Sequence, residues 1–432
     1  MKILLTGADG FIGRRLQPAL LARGHALLCA SRRTRQPNGH TGRCRHVQLD
    51  LAAPPPPGAA WDTLLNGVDV VINAAGVFRA NAQQFDAVHH RGPVALFEAC
   101  IAAGVPRVLQ ISALGADAQA VTAYHRSKLA ADDALLALPL DSTVLQPSLV
   151  FGEEGQSSRW FMSLAALPVL PLPTGGRQPV QPLHVDDLVL ALCALLQAPR
   201  LGWCGRRIAL VGPQPLSLAA YLRALRAGIG LPPAPAVSLP AGLVALAAAL
   251  GGHLPGAMLN SEAWQMLQRG NAAPADDISA LLQRPPRPAS AFIAPAQAPL
   301  LRLRAQMDGL LPLLRFSLAL VWILTGIVSM GLYPVDDSQQ LLARAGVPEP
   351  LRPLALYGAA ALDLLLGVLT LLRPRAALWL VQAALIIGYT AIISWRLPEF
   401  WLHPYGPLSK NLPMLALLAL LWTLDRRPHG AA

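Results

Sequence analysis

The feature that most restricts this chain is a set of apolar runs in its last third: Leu313–Tyr333, Leu354–Leu372, Ala377–Trp395 and Leu408–Leu424. Crossing the hydrocarbon core of a bilayer takes about 20 consecutive apolar residues in a helix. The first three runs have that length, and the fourth is shorter and interrupted by Lys410 and Pro413. Hydrophobic residues make up 53% of the 432 residues and charged ones 14%, a balance skewed by this third. Residues 301–432 are therefore expected to form an all-α, four-helix transmembrane domain. Residues 1–300 mix apolar and charged positions as a globular head does. Asp363 falls inside the second run, where a carboxylate is costly and points to a function, an interhelical hydrogen bond or pairing with an arginine.

The formal net charge is +11. Its arginines are scattered, lie in the loop Arg32–Arg45, or flank the apolar runs, and no aromatic-interleaved basic stripe accompanies them. That pattern suits a nucleotide phosphate and an anionic lipid surface and disfavours nucleic acid. Cys29, Cys44, Cys100, Cys193 and Cys204 form no CxxC pair and show no metal-ligand spacing. No metal is expected, and the thiols read as small core residues in a reducing compartment. Met1–Thr6 reads as a strand running straight into a glycine loop, not as a signal peptide, which points to a cytoplasmic head.

That loop is Thr6-Gly7-Ala8-Asp9-Gly10-Phe11-Ile12-Gly13, and Arg14–Arg23 follows it with helical spacing. In a strand–turn–helix unit Gly7 permits the tight turn, Gly10 lets the backbone approach a pyrophosphate, and Gly13 lets helix pack on strand. The helix N-terminus supplies free N–H groups and a favourable dipole for phosphate. Thr6, Gly7, Asp9, Gly10, Phe11, Ile12 and Gly13 are thus expected at a dinucleotide. The second strand, His25–Ala30, ends in Ser31-Arg32-Arg33, where NAD-selective sites carry an acid. Arginine matches a 2′-phosphate by charge and by its forked donors, so NADP(H) is favoured, with NAD(H) the alternative and a solvated arginine loop the bland reading. Val47–Leu51 is a further strand ending at Asp50 and Leu51, and Val68–Ala75 another leading into Asn73-Ala74-Ala75-Gly76.

Val105–Ile111 reads as the next strand, with Ser112 at the edge where open α/β sheets place ligands. Downstream, Tyr124-His125-Arg126-Ser127-Lys128 puts a phenol and an ammonium one helical turn apart on a common face. A phenol of ordinary pKa is a poor acid–base catalyst at neutral pH, and a neighbouring ammonium favours its ionised form. His125 and Arg126 read as solvated.

The TGxxGxxG loop, Ser112 and the YxxxK pattern together resemble the extended and atypical short-chain dehydrogenases/reductases. The resemblance implies a Rossmann-type doubly wound parallel sheet of the α/β class over residues 1–215. It implies Tyr124 as general acid/base, Lys128 on the nicotinamide ribose and tuning the phenol, and Ser112 orienting a substrate oxygen. It also implies Asp50 and Leu51 beside the adenine and Asn73, Ala74, Ala75 and Gly76 beneath the cofactor. Ser142–Gly152 resembles the family's RPSLVFG strand, with Gln146 replacing its arginine, and puts Pro147, Ser148 and Val150 on the nicotinamide side. Gln181–Asp187 resembles its HVDDV segment, read here as an aspartate capping a helix from about Leu188 with His184 lining the pocket. Residues 216–300 are expected as a small helical cap and linker. The linker is expected to begin at Arg284-Pro285-Pro286-Arg287-Pro288. Met266–Asn271 resembles the tail of the nucleotide-binding accessory subunit of respiratory complex I.

The membrane third resembles the DoxX-like family in Gly331–Val335, Pro398–Trp401 and His403–Pro413, which loosely implies a quinone-linked system. Three functions follow from these resemblances. The first is an NADP-dependent oxidoreductase, or an epimerase/dehydratase, acting on a small and lipophilic carbonyl or alcohol. The second is a non-catalytic nucleotide-binding subunit of a membrane redox complex. The third, a redox-sensing transcriptional regulator, is disfavoured by the spans. In a four-span arrangement Arg302, Arg304, Arg315, Arg373, Arg375, Arg426 and Arg427 fall on one side of the membrane. Arg344, Arg352, Arg396 and Lys410 fall on the other. This excess predicts an inner-membrane protein with both termini cytoplasmic. Reporter fusions after Tyr333 and Trp395 should then signal outside the cytoplasm, and fusions after Arg375 and at the C-terminus inside. A cytoplasmic signal after Tyr333 would overturn that topology.

Overall fold

A computed structural model describes residues 1–32, 42–199, 202–253 and 257–425. The expectations for Arg33, Arg426 and Arg427 lie outside these residues. The chain divides into two compact units, Met1–Gln306 and Met307–Ala432.

In the first unit, among the described residues, seven strands form a parallel sheet: β1 (Lys2–Thr6), β2 (Ala26–Ser31), β3 (Cys44–Gln48), β4 (Val70–Asn73), β5 (Arg107–Ile111), β6 (Asp141–Pro147) and β7 (Arg206–Leu210). Their spatial order is β7-β6-β5-β4-β1-β2-β3. The order reverses between β1 and β4, and that reversal opens a crevice at the carboxyl ends of the strands. Helices α1 (Phe11–Ala22), α7 (Val185–Gln197) and α11 (Asp276–Leu282) cover one face with Leu16, Leu20, Leu188, Leu192 and Ile278. The other face is covered by α2 (Ala59–Leu65), α4 (Gly92–Ala102) and α5 (Ala123–Ala137) through Trp61, Leu96, Phe97 and Leu135. Between α2 and α4 lies the short α3 (Ala82–Asp86), which runs into a π-helical turn, Ala87–Arg91.

The glycine loop works by contact. A Cβ on Gly7 (φ +63°) would lie 2.5 Å from the Ala74 carbonyl oxygen, and one on Gly13 2.3 Å from that of Gly7. Backbone thus packs on backbone where β1, β4 and α1 converge, and any side chain at these two positions would force them apart.

The expected cap folds into the same unit. Helices α6 (Gln156–Ala166) and α8 (Leu218–Gly228) enclose a second core of Phe161, Tyr221 and Leu225 with Phe292 and Leu301. Beside it, α9 (Ala241–Gly252) and α10 (Ser261–Arg269) close on Val244, Ala248 and Trp264, while Leu243, Leu246 and Leu250 of α9 stay exposed.

Two expectations are corrected here. The helix after the HVDDV-like segment starts at Val185, and His184 caps it, its Nδ1 accepting from the Asp186 N–H at 3.2 Å. The aspartates therefore sit inside the first turn. Asp187 is fully buried there and binds Arg284 Nη2 (2.6 Å) and the Arg287 N–H (2.8 Å). That buried carboxylate draws residues 284–287 onto the head, so the expected start of a linker is packed structure.

The second unit holds most of α12 (Ala298–Ile327), then α13 (Val335–Arg344), α14 (Arg352–Leu372), α15 (Ala376–Arg396) and α16 (Asn411–Asp425). Among the described residues three helices have the length and apolarity to cross a membrane: Ala298–Leu332, Glu349–Leu372 and Ala376–Arg396. The expected fourth span is the apolar helix α16, 15 residues long among the described residues and shorter than the other three. Apolar side chains such as Leu313, Leu324, Leu380 and Ile387 point outward. Polar ones point inward: Trp322 Nε1 donates to Gln382 Oε1 (2.9 Å), and Gln382 Nε2 to Thr370 Oγ1 (2.8 Å). Glycines let α12 and α14 approach, a Cβ on Gly367 meeting Ile323 at 2.5 Å. Asp425 joins Arg315 (2.7 Å) and Trp379 Nε1 (2.9 Å) at one end of this unit, and Arg344 pairs with Glu399.

Candidate active site

The cradle at the head of the sheet is built from backbone. Gly10 caps α1 without any side-chain cap, so the first-turn N–H groups face the crevice as donors. The Thr6 hydroxyl donates to Asn73 Oδ1, and Asn73 Nδ2 to Gln110 Oε1 at 2.7 Å. Asn73 is fully buried, so its side chain ties β1, β4 and β5 together, and Ala74, Ala75 and Gly76 carry the chain past the crevice. These features fit a dinucleotide: glycines and the uncapped first turn of α1 leave backbone N–H donors where a pyrophosphate would lie.

The other expected cofactor residues divide by where their side chains go. Ser31 is buried at the end of β2, while Arg32 beside it is exposed, with its carbonyl accepting from Gln48 Nε2 at 3.2 Å. Asp50 Oδ1 accepts the Ala52 N–H (2.9 Å) in a turn, and Leu51 is buried where a Cβ on Gly92 would come within 1.9 Å of its carbonyl oxygen. Phe11 packs over Gly152. Ile12 and Val150 both pack against the same core. The Pro147 carbonyl accepts the Leu114 N–H (2.9 Å), and the Ser148 hydroxyl donates to the Gln181 carbonyl (2.5 Å).

Helix α5 is capped by Thr122, whose Oγ1 accepts the His125 N–H at 3.2 Å. The helix carries Tyr124, Lys128 and Asp132 along one stripe. The Lys128 ammonium donates to the Ile111 carbonyl at 3.0 Å, and a Cβ on Gly76 would lie 3.4 Å from its Nζ. Burial pulls Lys128 down to about 8, with Asp132 opposing. Burial pushes Asp132 up to about 6, opposed by the Ser112 hydrogen bond and the Lys128 charge. Tyr124, ringed by Phe78, Phe85, His89 and His125 at 5.3–5.8 Å between ring centres, is pushed up to about 12 by burial, with Asp132 adding to it.

Two expectations change. The Tyr124 phenol is raised rather than lowered, by desolvation first and the Asp132 carboxylate second. Ser112 is buried and donates to Asp132 Oδ2 at 2.5 Å. Its one hydroxyl proton is therefore committed within the protein. Asp132 was missed in the sequence because an acid one turn past YxxxK looks like an ordinary surface position.

Two histidines were missed as well. His89, in the π-helical turn, is buried: its Nε2 accepts the Val77 N–H (2.9 Å), its Nδ1 lies 3.1 Å from Ser127 Oγ, and its edge meets the Tyr124 ring. His125, expected in solvent, is buried under Gly115, whose Cβ would meet its ring at 3.0 Å; Arg126 is exposed as expected. The Met266–Asn271 stretch acts as a clamp on this region. Arg269 Nη1 donates to the Gly115 carbonyl (2.8 Å) and Nη2 to Asp117 (2.5 Å), and Asn271 Oδ1 accepts the Leu149 N–H (2.8 Å). Glu262 accepts the Ala123 N–H (2.9 Å) at the start of α5.

With this geometry in view, the comparison with known families is direct. Residues 3–210 match the NAD dependent epimerase/dehydratase family, and residues 319–419 the DoxX-like family. The chain joins an NAD-dependent epimerase/dehydratase domain to a DoxX-like domain. Ceramide reductase of Caulobacter vibrioides is 32% identical over 205 residues, 46% of this chain and 62% of the relative. The mitochondrial NADH dehydrogenase [ubiquinone] 1 alpha subcomplex subunit 9 of Arabidopsis thaliana is 31% identical over 203 residues, 44% of this chain and 49% of the relative. The chain thus spans about half to three fifths of these relatives' lengths. Among solved structures, UDP-glucuronic acid 4-epimerase from Bacillus cereus, in complex with UDP-glucuronic acid and NAD, superposes with a TM-score of 0.51 at 19% identity, over 72% of this chain and all of that one. At that identity the likeness establishes the fold of the epimerase/dehydratase domain.

His89 supplies a test of the site's burial. Burial drives its pKa from 6.5 down to about 2, with Lys128 adding to the effect. Between those values the unfolded chain binds a proton that the folded one refuses, so stability must fall as pH drops below 6.5. In chemical denaturation, wild type should lose about 1.4 kcal/mol per pH unit more than His89→Gln below that point. Parallel losses would show that the ring is solvated.

Proposed function

We propose that the protein is a membrane-anchored, NADP(H)-dependent reductase of a lipophilic carbonyl compound, with its head in the cytoplasm of a bacterium and its anchor in the inner membrane. The observation that carries this reading is geometric: the Tyr124 phenol and the buried Lys128 ammonium stand one turn apart on the same stripe of α5, at the edge of the crevice. A phenol pushed up to about 12 holds its proton at neutral pH, the state in which it can give that proton to a carbonyl oxygen.

Bound NADPH would supply the hydride to the carbonyl carbon. Tyr124 Oη then protonates the oxygen as the C=O π bond breaks, leaving a phenolate. The Lys128 ammonium stabilises that phenolate, and Asp132 and the Ile111 carbonyl keep the ammonium in place. A lysine held near 8 can also return a proton to the phenolate from water. The Arg32 guanidinium, exposed at the end of β2, suits a 2′-phosphate. A lipophilic substrate is supported by the membrane-spanning helices and by the similarity to the ceramide reductase of Caulobacter vibrioides.

The second reading, a non-catalytic NADPH-binding subunit of a membrane redox complex with a quinone link, is favoured by one observation: Ser112, the residue expected to orient substrate, spends its proton on Asp132. The two readings separate without knowledge of the substrate. Tyr124→Phe keeps the ring packing and should leave NADPH affinity unchanged, while a general acid is worth about 10²–10⁴ in rate. A deletion strain carrying Tyr124→Phe at normal membrane abundance should fail to recover. Full rescue would defeat the reductase reading and favour the subunit. In the same preparations NADPH should bind more tightly than NADH, and Arg32→Asp should erase the difference; equal wild-type affinities would remove NADP preference.

A further inference from the structure

The register of the two outer strands places three soft donors on one face of the sheet. β2 pairs with β3 so that Cys29 lies beside His46 and Leu27 beside Cys44. Side-by-side partners in parallel strands share a face, and so do residues two apart on one strand. Cys29, Cys44 and His46 therefore converge under α1, a coincidence that spacing along the chain does not reveal. Cys29 Sγ lies 3.6 Å from Cys44 Sγ, and Cys44 Sγ lies 3.7 Å from His46 Nε2. All three donor atoms fall within 4.8 Å of one another.

These separations select between the two things a pair of thiols and an imidazole can do. Around zinc, with Zn–S near 2.3 Å and Zn–N near 2.0–2.1 Å, tetrahedral ligand atoms sit roughly 3.5–3.8 Å apart. The 3.6 and 3.7 Å separations are of that size. A disulfide needs its sulfurs at about 2.0 Å, far shorter than the 3.6 Å between Cys29 and Cys44. The remaining nitrogen of His46, Nδ1, is buried without a hydrogen-bond partner, so no bond from that side fixes the ring.

We propose that Cys29, Cys44 and His46 bind one thiophilic divalent cation, of the zinc type, with the fourth coordination position open to water or a carboxylate. Two thiolates and an imidazole suit such a soft ion and reject magnesium and calcium. Binding displaces the thiol protons, Cys29's being held tightly by burial, by Cys44 and by the Asp9 carboxylate of the glycine loop. The cation would clamp β2 to β3 just below Ser31 and Arg32, so its effect belongs at the nucleotide end of the crevice rather than at Tyr124. This inference is independent of the reductase reading, because it requires neither turnover nor substrate.

The test uses the full chain in detergent, reduced and stripped of metal, titrated with zinc alone and with cobalt alone. One ion should bind per chain, and cobalt should show the charge-transfer absorption of thiolate ligation. Cys44→Ser and His46→Ala should each weaken zinc binding by more than the roughly 10–100-fold that loss of a mere supporting partner costs. A measurement on wild type alone guards against misfolded variants: zinc should protect Cys44 from alkylation and leave the exposed Cys204 as reactive as before. Zinc uptake that is absent, unchanged in both variants, or without protection of Cys44 would overturn the proposal. So would a Cys29–Cys44 disulfide, two hydrogens lighter by mass, forming in place of metal uptake.

Discussion

A buried ammonium governs this site. Lys128 is sealed between the end of β5 and the chain at Gly76, and an ammonium taken out of water must be repaid by partners. The Ile111 carbonyl and the Asp132 carboxylate are those partners. Asp132 in turn requires a donor, which Ser112 provides, while desolvation and the Asp132 charge push the Tyr124 phenol up. The direction of chemistry assigned to the head follows from this chain of compensation.

The fold makes that burial possible at the same edge where a nucleotide would lie. Backbone contact at Gly7, Gly13 and Ala74 brings β1, α1 and β4 together and leaves the crevice lined by N–H groups and small residues. Asn73 connects the edge internally, from Thr6 to Gln110. The clamp from α10, through Glu262 and Arg269, fixes the start of α5 and the loop above it. Nucleotide cradle and proton donor are thereby held on one rigid edge. The DoxX-like unit reverses the usual arrangement, apolar outside and hydrogen-bonded inside, as a lipid solvent demands.

Local signals carried the sheet, the glycine loop, the YxxxK helix and the spanning helices, because each depends on residues close in sequence. Long-range partners stayed hidden. Arg284 and Arg287 look like a linker until Asp187 is found buried beneath them. His89 sits in a π-helical turn that no periodicity announces, and His125 is buried only because the Gly115 loop closes over it. Cys29, Cys44 and His46 come together through strand register alone. The fourth apolar run forms a helix from Asn411, three residues later than its apolar start at Leu408.

The state of the Tyr124 phenol tests this account most directly. The phenolate absorbance of the cofactor-free protein can be followed against pH and the signal of Tyr124→Phe subtracted, which isolates one ring. A phenol pushed up to about 12 by burial beside Asp132 should give no difference signal from neutral pH to about 10. An ionisation near neutrality would contradict it, and would mean that the Lys128 charge, not burial, sets the chemistry of this site.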